Sequence, residues 1–218
     1  MMKPILNGVY QIDNSLATLS ADPGRKVYNE RLIKKEGKEY RLWDAFRSKL
    51  AAALKKGLKT FPFNKNSKVL YLGASYGTTV SHLSDILEDG EIYAVEFAPQ
   101  CMHDLIELAE RRENIIPIHG DARKPDQYEE VGEVDIIYQD VAQPDQDDIL
   151  LKNAKVFLKK DGIAMFCIKS QSIDVTKDPK EIFEMVISNL EKDFEVLEKI
   201  KLDPFDKDHL FLVLKYLG

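Results

Sequence analysis

Two hydrophobic rhythms divide the chain. Over the first forty-odd residues the apolar positions come in short bursts. Gly8-Val9-Tyr10-Gln11-Ile12 and Lys26-Val27-Tyr28 carry the β-branched and aromatic content of strands. Residues 31–42 read as a hairpin with its turn near Glu36-Gly37. Phe46, Leu50, Ala53 and Leu54 then fall at i, i+4, i+7 and i+8, which predicts a helix from about Asp44, ended by Gly57. From Lys68 onward, continuous apolar runs alternate with helical stripes. Strands are expected over 69–72, 92–95, 115–118, 134–138 and 162–168, then over 196–201 and 210–216. Helices are expected from the Gly77 turn to about 87, then over 98–111, 145–157 and 180–190. Apolar strands separated by helices mean a parallel sheet covered on both faces. The expected fold is α/β: a doubly wound, mostly parallel, seven-stranded Rossmann-like sheet over 56–218. A small β-rich domain over 1–55, ending in a basic helix, precedes it.

Composition narrows the classes. A chain of 218 residues with 44% hydrophobic content is not wholesale disordered. No apolar run reaches the ~20 residues of a membrane span, so no membrane association is expected. The first residues lack the apolar core of a secretory signal. Cys101 and Cys167 are too few for a disulfide framework or a four-ligand zinc site, and a reducing intracellular compartment follows as the expectation. The net charge of -6 hides a division. Residues 1–66 hold 14 Lys/Arg against 6 Asp/Glu, while the remainder is strongly acidic. Such asymmetry suits a polyanion-facing side, though solvated charge alone also produces it.

Chemistry concentrates at the expected strand ends, where open α/β sheets bind ligands. Gly73 and Gly77 lie in the first strand-to-helix turn, where glycine permits close backbone approach and positive φ. Their G-x-x-x-G spacing lacks the second approach that a pyrophosphate needs. It suits a nucleoside without phosphates, S-adenosyl-L-methionine foremost, and argues against a nicotinamide dehydrogenase. Glu96 ends the second strand, 23 residues after Gly73, where a carboxylate meets ribose hydroxyls. Phe97 is placed to pack on adenine. Asp121-Ala122 follows the third strand; Asp121 either accepts from the adenine amino group or caps a turn. Asp140 and Lys169 end the fourth and fifth strands, and a carboxylate beside an ammonium there points to proton transfer. A plain ion pair is the blander alternative. No cluster has metal-ligand spacing. His82 reads as a packing residue, Cys167 as an inert core thiol, and Trp43 as a core residue at the seam between the two regions.

Several stretches together resemble fibrillarin, specifically the archaeal fibrillarin-like RNA 2′-O-methyltransferases. They are Val69-Leu70-Tyr71-Leu72-Gly73 with Gly77-Thr78-Thr79-Val80-Ser81-His82, then Asp140-Val141-Ala142-Gln143-Pro144, then 169–179, Glu39–Trp43, Arg47-Ser48-Lys49, and Pro204-Phe205 with Lys207-Asp208-His209. They occur in order over nearly the whole chain. The resemblance implies a catalytic set of Lys49, Asp140, Lys169 and His209. It implies methyl-donor contacts at Gly73, Thr78, Thr79, Glu96, Phe97, Asp121, Ala122, Asp140 and Gln143. It also implies a box C/D ribonucleoprotein, in which a Nop-domain scaffold links the chain to a kink-turn-binding protein, guide RNA and target RNA. The lack of a Gly/Arg-rich extension suggests an archaeal-type protein in the cytoplasm. Within that set, Lys169 is expected as the base, oriented by Asp140. Lys49 would hold the ribose oxygen or a phosphate, with His209 tuning or relaying the proton. A non-catalytic scaffold component and a small-molecule methyltransferase are the competing classes.

Overall fold

The computed structural model describes residues 2–218. The N-terminal part forms strands β1 (Met2–Leu6), β2 (Val9–Ile12), β3 (Ser15–Leu19), β4 (Leu32–Lys35) and β5 (Lys38–Trp43). They pair antiparallel in the order β1-β2-β3-β5-β4. Lys35 pairs with Lys38, so Glu36 and Gly37 form the expected two-residue turn. Both have positive φ, 52° and 73°, as the hairpin turn that matches strand twist requires.

Two local expectations fail for identifiable reasons. Residues 26–28 are not a strand, because the Glu30 carboxylate takes the N–H groups of Val27 and Tyr28 at 2.9–3.1 Å. Helix α1 (Lys49–Lys55) begins five residues later than the apolar spacing indicated. Asp44 instead accepts from the Phe46 N–H in a turn, and Ser48 caps the helix through the Ala51 N–H. Phe46 is left 67% exposed, off the apolar stripe.

The second sheet contains β6 (Lys68–Leu72), β7 (Glu91–Glu96), β8 (Ile115–His119), β9 (Val134–Gln139), β10 (Leu158–Lys169), β11 (Phe194–Lys201) and β12 (His209–Tyr216). Their order is β11-β12-β10-β9-β6-β7-β8. Strands β6 to β10 are mutually parallel, while β12 runs antiparallel to both of its neighbours. Helices α2 (Thr78–Ile86), α3 (Pro99–Ala109), α4 (Gln146–Phe157), the single-turn α5 (Ser170–Ile173) and α6 (Pro179–Leu190) connect them. A 3₁₀ segment over Pro125–Val131 lay outside the periodicity reading. Strand order reverses at β6, so a crevice opens between the ends of β6 and β9.

Alternate residues of the central strands feed two cores. Val69, Tyr71, Tyr138, Cys167 and Phe211 face one way, and Leu70, Leu72, Ile137, Phe166 and Leu212 the other. The first core also takes in Val9, Leu16, Trp43 and the α1 run Leu50–Ala53, so the N-terminal sheet packs on that side. A sealed polar seam fastens this junction. Arg41 bonds Glu30 at 2.7 Å and Asp85 at 2.8 Å, and Arg112 bonds the other Asp85 oxygen at 2.7 Å. All four side chains are at most 1% exposed. His82 lies between Thr18 and Tyr28, at 2.8 and 2.7 Å, under the stacked ring of Trp43. Burial foremost, then Arg41 and Arg112, push its pKa well below the ordinary imidazole value, so it stays neutral. Both residues are packing elements. Among the described residues, no helix is long and apolar enough to cross a membrane.

Candidate active site

Neighbouring chain shapes the glycine turn. Gly73 sits at φ +82°, and a Cβ there would lie 2.9 Å from the Asp140 carbonyl oxygen. At Gly77, φ +78°, a Cβ would meet Leu108 of α3 at 2.5 Å. Both glycines therefore answer to packing, and Gly73 also lines the crevice. The cavity there has a volume of about 330 Å³, within the range of small-molecule sites. Val95, Val141 and Ile149 form its apolar wall, and Glu96, Asp121, Asp140 and Gln143 supply polar groups.

Each polar group is held in place. Glu96 accepts from the Ser75 and Ala98 N–H groups, both at 2.7 Å, one bond to each oxygen. It thus ties the glycine turn to the start of α3. Asp121 accepts from the Arg123 N–H at 3.0 Å, so it caps a turn and lines the cavity at once. Phe97, 66% exposed, and Ala122 also line it. Gln143 is held by Arg123, whose guanidinium also grips both oxygens of Asp145 at 2.8 Å. Arg123 escaped the sequence reading, since its partners lie twenty and more residues away. Thr78 and Thr79 begin α2 but do not line the cavity. The Thr79 hydroxyl is taken by Ser48 at 2.9 Å, which couples the starts of α1 and α2 and so places Lys49.

Beside the cavity, charged side chains form one chain of contacts. Lys169 Nζ donates to the Asp140 carbonyl at 2.9 Å and lies 2.8 Å from Asp140 Oδ1, without an aligned hydrogen bond to that oxygen. Lys49 Nζ sits 3.1 Å from Asp140 Oδ2 and 3.5 Å from Asp206. Asp206 in turn lies 3.0 Å from His209 Nδ1. Burial works against the Lys49 charge, but Asp140, with Asp206 assisting, raises its pKa above the ordinary lysine value. Asp206 is held below the usual carboxylate value: burial opposes this, and His209 and Lys49 prevail. All four residues expected as the catalytic set thus converge. Asp206, unnoticed in the sequence, joins two of them. Gln146, also unnoticed, is buried and brackets Lys169 with bonds to its N–H and carbonyl at 3.0 and 3.1 Å. Strand register does the rest, for Lys169 pairs directly with His209 across β10 and β12. Cys167 lies beneath, and burial raises its thiol pKa well above the ordinary value, which makes it inert.

The reversed strand order, the antiparallel β12 and a crevice at the strand ends beside a Lys–Asp–Lys cluster define a Rossmann-like methyltransferase. The family model described as Fibrillarin matches residues 1–218. The fibrillarin-like rRNA/tRNA 2′-O-methyltransferase of Methanococcus vannielii is 52% identical over 219 residues, covering 97% of this chain and 95% of that protein. Aeropyrum pernix fibrillarin, solved with natively bound S-adenosyl-L-methionine, superposes with TM-score 0.88 at 46% identity, covering 95% of this chain and 94% of its own. The fibrillarin of a fibrillarin/Nop5p complex superposes with TM-score 0.92 at 41% identity, covering 99% of this chain and 100% of its own. The chain belongs to the fibrillarin family.

Proposed function

We propose that this chain is an S-adenosyl-L-methionine-dependent ribose 2′-O-methyltransferase acting on rRNA and tRNA within a box C/D ribonucleoprotein. The observation that carries the reading is the Lys49–Asp140–Lys169 cluster opening on the nucleoside crevice, since Asp140 and Lys169 line both. The crevice suits the methyl donor: a fixed carboxylate for a ribose diol at Glu96, an acceptor at Asp121, and apolar walls between them. Phe97 and Ala122 pack the base, while Gly73, Asp140 and Gln143 border the methionine side. Bound there, the cofactor supplies a sulfonium methyl group.

The chain's own residues position the acceptor. Lys49, held as a cation, attracts the ribose oxygen or its adjacent phosphate, and Asp140 fixes both ammonium groups. Alignment of the reacting atoms supplies much of the rate. The complex solved for the relative with Nop5p supports a Nop-domain scaffold as partner. That scaffold brings a kink-turn-binding protein and the guide RNA, whose pairing selects the target. Residues 1–55 act as the RNA- and partner-facing domain and 56–218 as the methyltransferase domain, in an archaeal-type cytoplasm.

Guided methylation with purified chain, guide RNA and both partner proteins tests the proposal. One ribose of the matched target gains a methyl group; no methylation overturns the reading, leaving a scaffold role. Glu96→Ala weakens cofactor binding about tenfold or more, from the ~1.5–3 kcal/mol of a charged hydrogen bond, as titration calorimetry will read.

A further inference from the structure

A second concavity lies apart from the cofactor crevice. It is a groove of about 450 Å³ where the N-terminal sheet meets the entry to α1, lined among others by Arg31, Trp43, Phe46, Arg47 and Phe205. The seven arginines of the chain fall into two sets. Arg41, Arg111, Arg112 and Arg123 are each ion-paired to an aspartate or glutamate. Among the described residues, no hydrogen bond or ion pair takes the guanidinium of Arg25, Arg31 or Arg47, and all three residues are exposed. Two of these three line the groove. Lys55, tied to the Asn14 carbonyl, adds another positive charge to the lining. The lining carboxylates are engaged elsewhere: Glu30 is sealed against Arg41, and Asp44 accepts from the Phe46 N–H. Trp43 buries an indole N–H that has no partner among the described residues. The groove is therefore rich in donors and positive charge and short of free acceptors.

Its rim carries an exposed aromatic. Phe46 stands edge-on to Phe205, with ring centroids 5.1 Å apart. A lone exposed ring signifies little, but a ring flanked by two free guanidiniums has the makeup of a nucleic-acid platform. The groove also adjoins the charged cluster. Phe205 immediately precedes Asp206, which lies 3.5 Å from Lys49, and Arg47 stands two residues before Lys49. Groove, cluster and crevice are thus successive neighbours.

We propose that this groove holds the sugar–phosphate backbone of the target strand beside the reacting ribose. Arg31 and Arg47 take phosphates, and Phe46 packs against a neighbouring sugar. The inference rests on the methyl-transfer reading and adds how the acceptor is held. A paired RNA strand offers these groups, because the wide, shallow minor groove of an A-form duplex displays its 2′-hydroxyls. Lys49 supplies a single charge at the reacting nucleotide. Two further phosphate contacts fix the strand's direction, and with it the angle at which the 2′-hydroxyl meets the methyl group.

Target binding and guided methylation by the assembled complex test it. Arg31→Ala combined with Arg47→Ala raises the target KM about tenfold or more. It also flattens the dependence of log binding constant on log salt by roughly two, one for each lost phosphate. Cofactor affinity and unfolding free energy stay as in the wild type. Arg47→Lys retains most of the salt dependence. Phe46→Ala weakens target binding about fivefold without changing that slope, and Phe46→Trp restores it. Lys180→Ala serves as the control and changes neither quantity, since α6 packs on the sheet face opposite the N-terminal strands. A photo-reactive phenylalanine analogue at position 46 crosslinks to the target strand. Crosslinking to the scaffold protein or the guide instead overturns the proposal, as does an arginine-free groove with unchanged target KM and salt slope. An inactive wild-type complex refutes the methyl-transfer reading, whereas crosslinking and salt slope report on the groove by themselves.

Discussion

The molecule contains two clusters of the same chemistry, arginine or lysine around an aspartate, put to opposite uses. In the seam, Asp85 takes Arg41, Arg112, the Thr18 hydroxyl and the Ala21 N–H on its two oxygens. Its side chain is 0% exposed. Beside the crevice, Asp140 takes two ammonium groups, yet its side chain and those of Lys49 and Lys169 remain 14–19% exposed. Filling every lone pair turns charge into an adhesive between the sheets. Leaving the cluster open keeps the same charge available to a substrate. A buried ion pair costs much desolvation, and the seam offsets this by giving each oxygen of Asp85 two donors.

Four experiments probe that contrast, from the largest effect down. Asp85→Ala strands two sealed arginines and destabilises the chain by about 3–5 kcal/mol, read by denaturant unfolding. A loss below about 1 kcal/mol would mean that the seam is not the fastening it resembles. Lys169→Ala should do the reverse: kcat for guided methylation falls about 10³-fold, while unfolding free energy changes by roughly 1 kcal/mol, because Asp140 keeps Lys49. Glu30→Gln tests the seam through pH. Burial favours the neutral acid, but Arg41 overrides it and keeps the Glu30 pKa below its ordinary 4.5. A lowered pKa contributes stability that is complete above the ordinary value and is lost as pH falls through the lowered one. The wild type's advantage over the variant should therefore hold from pH 7 to about 5 and shrink below about 4.5 in pH-dependent unfolding. Asp89→Asn removes a pair to Lys65 whose side chains are 65% and 62% exposed; it should cost under about 0.5 kcal/mol.

How much of this was legible beforehand follows from the range of each interaction. Strands β6 to β10 announce themselves because burial on both faces demands unbroken apolar runs such as Val69–Leu72 and Ala164–Ile168. Glu96, Asp140 and Lys169 were readable because strand-end position is itself a local property. Strand β1 was not, for it contains Pro4 and exposes its middle residues. Tyr28 misled because Glu30, two residues on, captures the local N–H groups. The side chains of Arg123 and Gln146 reach partners twenty or more residues away, and Asp206, though three residues from His209, reaches back to Lys49; a single chain carries no local mark of such distant pairings. The bond between the Thr79 and Ser48 hydroxyls, 31 residues apart, was equally invisible in the sequence.

Strand β12 lies between β10 and β11, both of which are synthesised before it. Until residues 209–216 leave the ribosome, the two earlier strands have an empty slot between them, and Lys169 has no imidazole opposite it. The same insertion that completes the sheet completes the cluster. Catalytic competence thus reports on finished assembly: a nascent chain cut short in this strand would lack both a closed core and the means to modify RNA.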